Sequence, residues 1–107
     1  MIVYDEAKEF LKKVPPFQFL DEETLYGIIP YLRLEFYPKG TVILEEGGKS
    51  SEFLYLIKKG AVKITLRGEN GEEMLVDMRG EGETFGLWSL IEGQQQTTVK
   101  TLEDTLC

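Results

Sequence analysis

The sequence predicts a mainly β domain, a small sandwich or barrel preceded by short helices. Three observations predict it. From Leu32 onward the chain reads as short β-forming runs, LRLEFY, TVIL, FLYLI, AVKITL and MLVDM, separated by turn residues, the spacing expected of strands in an all-β domain. Gly40, Gly47, Gly48, Gly60, Gly68, Gly71, Gly80 and Gly82 fall between those runs, where reversal of the chain often needs a positive φ. The 107 residues suffice for one hydrophobic core and are too few for two comfortable domains.

Taken in order, Asp5 to Val14 spaces Ala7, Phe10, Leu11 and Val14 as one helical stripe, with acids in the first turn and Lys12-Lys13 in the last, as the helix dipole prefers. Pro15-Pro16 stops it. Asp21 is the expected N-cap of a second helix, EETLYGIIPYL, in which Leu25, Ile28 and Ile29 face inward. Gly27 weakens that helix and Pro30 ends or kinks it. The aromatic and aliphatic residues around it, Phe17, Phe19 and Tyr26 among them, are expected in the core. In AVKITL the inward set is Val62, Ile64 and Leu66, while Lys63, Thr65 and Arg67 face water, the period of two of a half-buried strand. FLYLI has no polar alternate and is expected to be central. Asn70-Gly71 marks a hairpin tip, and the pairs Glu45-Glu46 and Glu72-Glu73 are expected on solvated faces.

Gly80 to Leu102 is the stretch to which the others point. A glycine-punctuated turn passes through Phe85-Gly86 into Leu87-Trp88-Ser89-Leu90-Ile91 and leaves through Gly93 into the strand TTVKTL. A short helix in an otherwise β segment leaves its first amide groups without intrahelical partners, so that they can receive an anion such as a phosphate. The same residues also suit a helical plug that fills one end of a barrel.

Composition removes several functions. Nineteen acidic against twelve basic residues give a net charge of -7, which opposes attraction to the nucleic acid backbone. No apolar run approaches the roughly 20 residues that cross a bilayer, and the start, MIVYDEAKEFLKK, does not read as a secretion signal. A cytoplasmic protein without membrane or direct nucleic acid contact is expected. A single cysteine, Cys107, excludes an internal disulfide, and the absence of histidine removes the commonest metal ligand and the commonest general acid or base near neutrality. The expectation is therefore no enzyme, no catalytic residue and no metal.

The order of these elements is familiar. Short N-terminal helices, then YPKGTVILEEGGKSSEFLYLIKKGAVKI with its Tyr55-Leu56-Ile57, Gly60 and Val62 cadence, then GEGETFGLWSLI and TTVKTLEDTLC, together resemble the cyclic nucleotide-binding domain family over nearly the whole chain. The resemblance implies a Crp-like fold, an eight-stranded antiparallel jelly roll (double-stranded β-helix), with the phosphate-binding cassette between its sixth and seventh strands. It implies an N-terminal helical segment over residues 1–31, a β-roll over 32–107, and a lid helix that the family places after the final strand. Because the chain ends at Cys107 within that strand, an excerpt or a loss of the lid and effector is expected.

Carried onto this chain, the cassette comprises Phe85, Gly86, Leu87, Trp88, Ser89, Gln95, Gln96, Thr97 and Thr98. In the family a glutamate that accepts from the ribose 2′-hydroxyl follows Phe-Gly; here Leu87 stands there. An arginine that pairs with the cyclic phosphate precedes the Thr-Val pair; here Gln95, or Gln96 one residue on, takes its place. The implied protein is a regulatory sensor module in signal transduction that binds cyclic AMP weakly or not at all, with a cyclic nucleotide or another nucleotide as the possible ligand. The alternatives are a functional cyclic AMP or cyclic GMP-binding domain, and a ligand-free structural or dimerisation domain. A cupin-like enzyme would need histidines for its usual metal. The phrases LEDTLC and VPPFQFL look most like prokaryotic signalling proteins with CBS domains, which implies a C-terminal CBS or nucleotidyltransferase effector and, as a further possibility, a homodimer.

Overall fold

The computed structural model describes residues 4–107. Met1–Val3, which head both the expected helical segment and the stretch read for a secretion signal, lie outside the described residues. Two compact units are present, one ending at Glu35 and one spanning Phe36–Cys107.

In the first unit, α1 (Tyr4–Leu11) and α2 (Glu22–Ile28) are joined through the Pro15-Pro16 stop and a 3-10 turn at Phe17–Phe19. Asp21 caps α2 as its position predicts, its carboxylate accepting the Thr24 N–H at 2.8 Å. Pro30 ends the helix by converting the chain to a 3-10 turn, Ile29–Tyr31. Leu11, Val14, Leu25 and Ile29 are all at most 2% exposed. On the surface Glu22 accepts from both Lys8 and Lys12 at 3.3 Å, and Lys8 lies over the Tyr26 ring. The lysine hydrogen bonds, that of Lys12 first, hold the Glu22 carboxyl below the usual carboxylate range. The aromatic residues do not all reach the core. Phe19 is 79% and Tyr31 85% exposed, because each occupies the outer side of a 3-10 turn whose tight winding turns only some of its residues inward.

The second unit holds, among the described residues, eight strands: β1 (Phe36–Tyr37), β2 (Val42–Leu44), β3 (Tyr55–Leu56), β4 (Val62–Arg67), β5 (Glu73–Arg79), β6 (Thr84–Phe85), β7 (Thr98–Thr101) and β8 (Thr105–Leu106). Helix α3 (Leu87–Glu92) lies between β6 and β7. All pairings are antiparallel, and they nest: β1 with β8, β2 with β7, β3 with β6, β4 with β5. That is the order a long hairpin folded over on itself produces, as in jelly rolls. A further pairing of β4 with β7 builds the four-stranded sheet β2-β7-β4-β5.

Leu44, Ile57, Val62, Ile64, Phe85 and Val99 form the core, with Ile43, Tyr55 and Cys107 packed against it. Full burial of such side chains stabilises by about 1.5–3 kcal/mol each. Burial pushes the Cys107 thiol up to about 11, so it stays protonated at neutral pH and is a poor nucleophile.

Two strand expectations need correction. FLYLI is not central: only Tyr55–Leu56 is strand, paired with β6 alone, and the interior strands of the larger sheet are β7 and β4. Its unbroken apolarity has another source, since Ile57 is fully buried while Phe53 stands 41% exposed beside the turn that precedes the strand. Along β4 the alternation fails at its second half. Thr65 is buried at 4% exposure and Leu66 is only half-buried. Thr65 is flanked by its cross-strand partners Thr98 and Leu75, which share its face and shield a small side chain from water. The register against β5 also slips between Ile64 and Thr65, leaving Val76 as an extra residue on β5. Of the acidic pairs, Glu46 is half-buried and accepts the Arg67 N–H at 2.8 Å, so it is more than a solvated charge.

The structure thus has the expected mainly β, antiparallel organisation with a few short helices. No helix among the described residues is long and apolar enough to cross a membrane.

Candidate cassette site

The site is built from the end of β6, helix α3 and the entry to β7, resting on the loop between β2 and β3. Phe85 is buried at 2% exposure and stacks on Tyr55, ring centroids 4.6 Å apart and planes 3° from parallel. The chain must turn sharply into α3 against that pair. Gly86 does so with φ at 91°, and a Cβ there would stand 3.1 Å from the Phe53 carbonyl oxygen and 3.3 Å from the Tyr55 ring, so both conformation and space require glycine. Helix α3 has six residues and no side-chain N-cap, and Gly93 at φ 73° closes it, its N–H donating to the Ser89 carbonyl.

Ser89 is the structural pin of this segment. Its buried Oγ accepts the Ser51 N–H at 2.6 Å, and the Ser51 hydroxyl donates to the Phe53 carbonyl at 2.6 Å. One hydroxyl therefore fixes α3 to the β2–β3 loop. Replacing it by alanine leaves the buried Ser51 amide without its acceptor, which costs roughly 1–3 kcal/mol. Ser89→Ala is expected to lower the urea midpoint by that loss divided by the slope, with the slope unchanged; an unchanged midpoint would show that another group takes over.

The other expected site residues separate into buried and exposed sets. Leu87 is 46% and Trp88 71% exposed, and with Leu90 and Ile91 they make the outer side of α3 apolar. Gln95 is buried at 6% exposure, whereas Gln96 is exposed and donates to Glu92 at 2.9 Å. The Gln95 amide nitrogen donates to the Thr97 carbonyl at 2.6 Å and reaches the Thr97 hydroxyl at 3.3 Å. A carbonyl only accepts, so this contact fixes which way the amide points. Its Oε1 is left buried and without a hydrogen-bond partner among the described residues. The Thr98 hydroxyl accepts the Glu46 N–H at 3.1 Å, and the Gln95 carbonyl accepts the Gly47 N–H at 2.9 Å. Most of the polar groups expected to meet a ligand are thus tied to neighbouring chain.

Sequence reasoning missed the β2–β3 loop. The loop and its flanking strands line a cavity of about 330 Å³ that includes Ile43, Glu45, Lys49, Ser51, Glu52 and Phe53. EEGGKSSE carries no signal beyond that of a turn, because the loop's role comes from contact with α3, some 38 residues away along the chain. Among the described residues no cluster of histidine, cysteine or carboxylate side chains could hold a metal ion.

Comparison with known proteins agrees with this arrangement. The family model described as "Cyclic nucleotide-binding domain" matches residues 34–107. A cGMP-dependent protein kinase of Drosophila melanogaster, isozyme 2, is 37% identical over 82 residues, which are 76% of this chain and 9% of the kinase. The cAMP-activated global transcriptional regulator of Salmonella typhimurium is 28% identical over 80% of this chain and 40% of its own length. In three dimensions, the regulatory domain of Toxoplasma gondii PKA with cAMP superposes with a TM-score of 0.85 at 24% identity, over 96% of this chain and 39% of that one. The chain therefore spans well under half the length of these relatives.

Proposed function

This chain belongs to the cyclic nucleotide-binding domain family, and we propose that it is a regulatory sensor module whose cassette lacks both polar anchors and holds cyclic AMP weakly or not at all. The observation that carries this is the state of Gln95. Of the two residues that resemblance places at the family's phosphate-pairing arginine, Gln95 is the buried one; its amide nitrogen is engaged by the Thr97 carbonyl and hydroxyl, and the group left unpaired is the acceptor Oε1. A phosphate oxygen also only accepts, so it cannot bond Oε1, and the amide carries no charge to attract it. Leu87, at the position of the ribose-binding glutamate, is aliphatic and offers no acceptor to a hydroxyl.

The module acts by coupling to an effector, as regulatory domains of the related kinases and transcriptional regulators do within larger proteins. We assign that effector to a C-terminal domain of the CBS or nucleotidyltransferase type, with a cytoplasmic, prokaryotic signalling protein as the setting and dimerisation as an added possibility. The second reading, a functional cyclic nucleotide site, is favoured by what the relatives' names state that they respond to, cyclic GMP and cyclic AMP. Melting curves separate the two, because a compound that binds only the folded state raises the melting temperature. At about 10 µM cyclic AMP or cyclic GMP the expected result is no shift. A clear shift at that concentration would restore the cassette as a cyclic nucleotide site.

A further inference from the structure

We infer that Asn70-Gly71, at the tip of the β4–β5 hairpin, is a self-modification site: the asparagine amide is displaced by the backbone nitrogen that follows it, and the turn itself sets how often this happens. The inference is independent of what the cassette binds.

Asn70 is the one asparagine of the chain, and it stands exposed between Glu69 and Gly71 in the connection of the two strands. Asparagine amides are among the thermally labile groups of proteins. The next residue governs the chemistry, because its backbone nitrogen is the nucleophile and its side chain stands in the way. Gly71 has no side chain, and nothing lies within 4 Å of a Cβ built on it, so the space beside it is open as well.

The steps balance with water alone. The Gly71 nitrogen loses its proton to hydroxide and attacks the side-chain carbonyl carbon of Asn70. The new N–C bond closes a cyclic imide as the bond to the amide nitrogen breaks, and that nitrogen leaves as ammonia with a proton from water. Water then opens the ring. Cleavage at the former side-chain carbonyl gives aspartate, and cleavage at the backbone carbonyl gives isoaspartate, whose main chain runs through the side-chain methylene.

The turn holds the first step back. The Gly71 N–H donates to the Gly68 carbonyl at 2.9 Å, and the Gly68 N–H donates to the Glu72 carbonyl at 2.7 Å. With its proton bonded and its backbone fixed at φ 78°, the nitrogen reacts only after a local opening of the tip. The exposed carboxylates of Glu69, Glu72 and Glu73, close to it in the chain, also disfavour an anionic nitrogen. Once isoaspartate forms, the longer main chain loses the spacing that the two turn bonds need. The β4–β5 ladder, whose last pairs are Leu66↔Met74 and Arg67↔Glu73, then frays from the tip.

The test is to age the whole chain in warm, mildly alkaline buffer, folded and in urea, and to follow ammonia release, intact mass and an isoaspartate-resolving peptide map. The folded chain is expected to convert at Asn70, faster as pH rises, and the chain in urea at least about fivefold faster, the factor that one hydrogen bond is worth. Gly71→Ala, compared in urea so that strain in the turn does not count, should slow conversion about tenfold. The isoaspartate form should melt below the fresh chain, and Asn70→Asp, which adds the charge without the longer main chain, should melt close to it. No conversion of the folded chain while the chain in urea converts completely would overturn the site. Equal rates folded and in urea would overturn control by the turn, and an unchanged rate in Gly71→Ala would overturn attack by the Gly71 nitrogen. An isoaspartate form that melts with the fresh chain would overturn the fraying of the hairpin.

Discussion

Leu87→Glu together with Gln95→Arg is expected to strengthen cyclic AMP binding by about a hundredfold. The arginine replaces a neutral amide whose nitrogen is engaged by the Thr97 carbonyl and hydroxyl by a charged, two-pronged donor, and hydrogen bonds involving a charge are worth about 1.5–3 kcal/mol against about 1 for neutral ones. The glutamate supplies the acceptor that a buried ribose hydroxyl otherwise lacks, a gain of roughly 1–3 kcal/mol. A combined change near 3 kcal/mol is about two decades of affinity. Position decides the outcome as much as chemistry does. Gln96→Arg with the same Leu87→Glu should add little beyond the gain from the glutamate itself, because Gln96 is exposed and bonded to Glu92. Equal gains from the two arginine variants would mean that burial had not identified the right residue.

Gly60→Ala is expected to lose about 3 kcal/mol or more of folding stability. Gly60 has a φ of 100°, and an added Cβ would lie 2.5 Å from the Thr105 hydroxyl oxygen, 2.6 Å from the Asp104 carbonyl oxygen and 2.7 Å from the Thr105 Cα. Two of those atoms are backbone. Thr105 cannot swing away cheaply, since it is fully buried and its hydroxyl lies 2.8 Å from the Glu103 carbonyl oxygen to which it donates. Gly82→Ala isolates the conformational part of the effect: its φ is 81° but nothing lies within 4 Å of the new carbon, so about 1 kcal/mol is expected. Chemical denaturation of the two variants side by side measures both. Similar losses would mean that the contact with β8 is not as close as its distances indicate.

The sequence-level reading reached the β organisation because turn glycines and alternating polarity are local. Gly40, Gly47, Gly60, Gly71 and Gly82 do take positive φ between strands, and Asp21 and Pro30 bound α2 as their chemistry dictates. What escaped is set by partners distant along the chain. Thr65 looks wet until Thr98 and Leu75 are placed on either side of it. FLYLI looks central because polarity cannot distinguish a strand buried in a sheet from a short run with one core residue, Ile57. At the cassette the residue types were legible, whereas the choice between Gln95 and Gln96 was not: only burial separates them. Ser89 stood in the candidate set, yet its role as the pin of the β2–β3 loop depends on Ser51, to which no spacing rule connects it.

Isothermal titration of the unaltered chain with cyclic AMP tests the central claim most directly. A cassette with a committed amide at Gln95 and an aliphatic side chain at Leu87 predicts no measurable heat, or a dissociation constant above about 10 µM. A well-defined isotherm with one site per chain and a constant below that value would contradict it, and would make the backbone and threonine hydroxyls of the cassette sufficient for cyclic nucleotide binding.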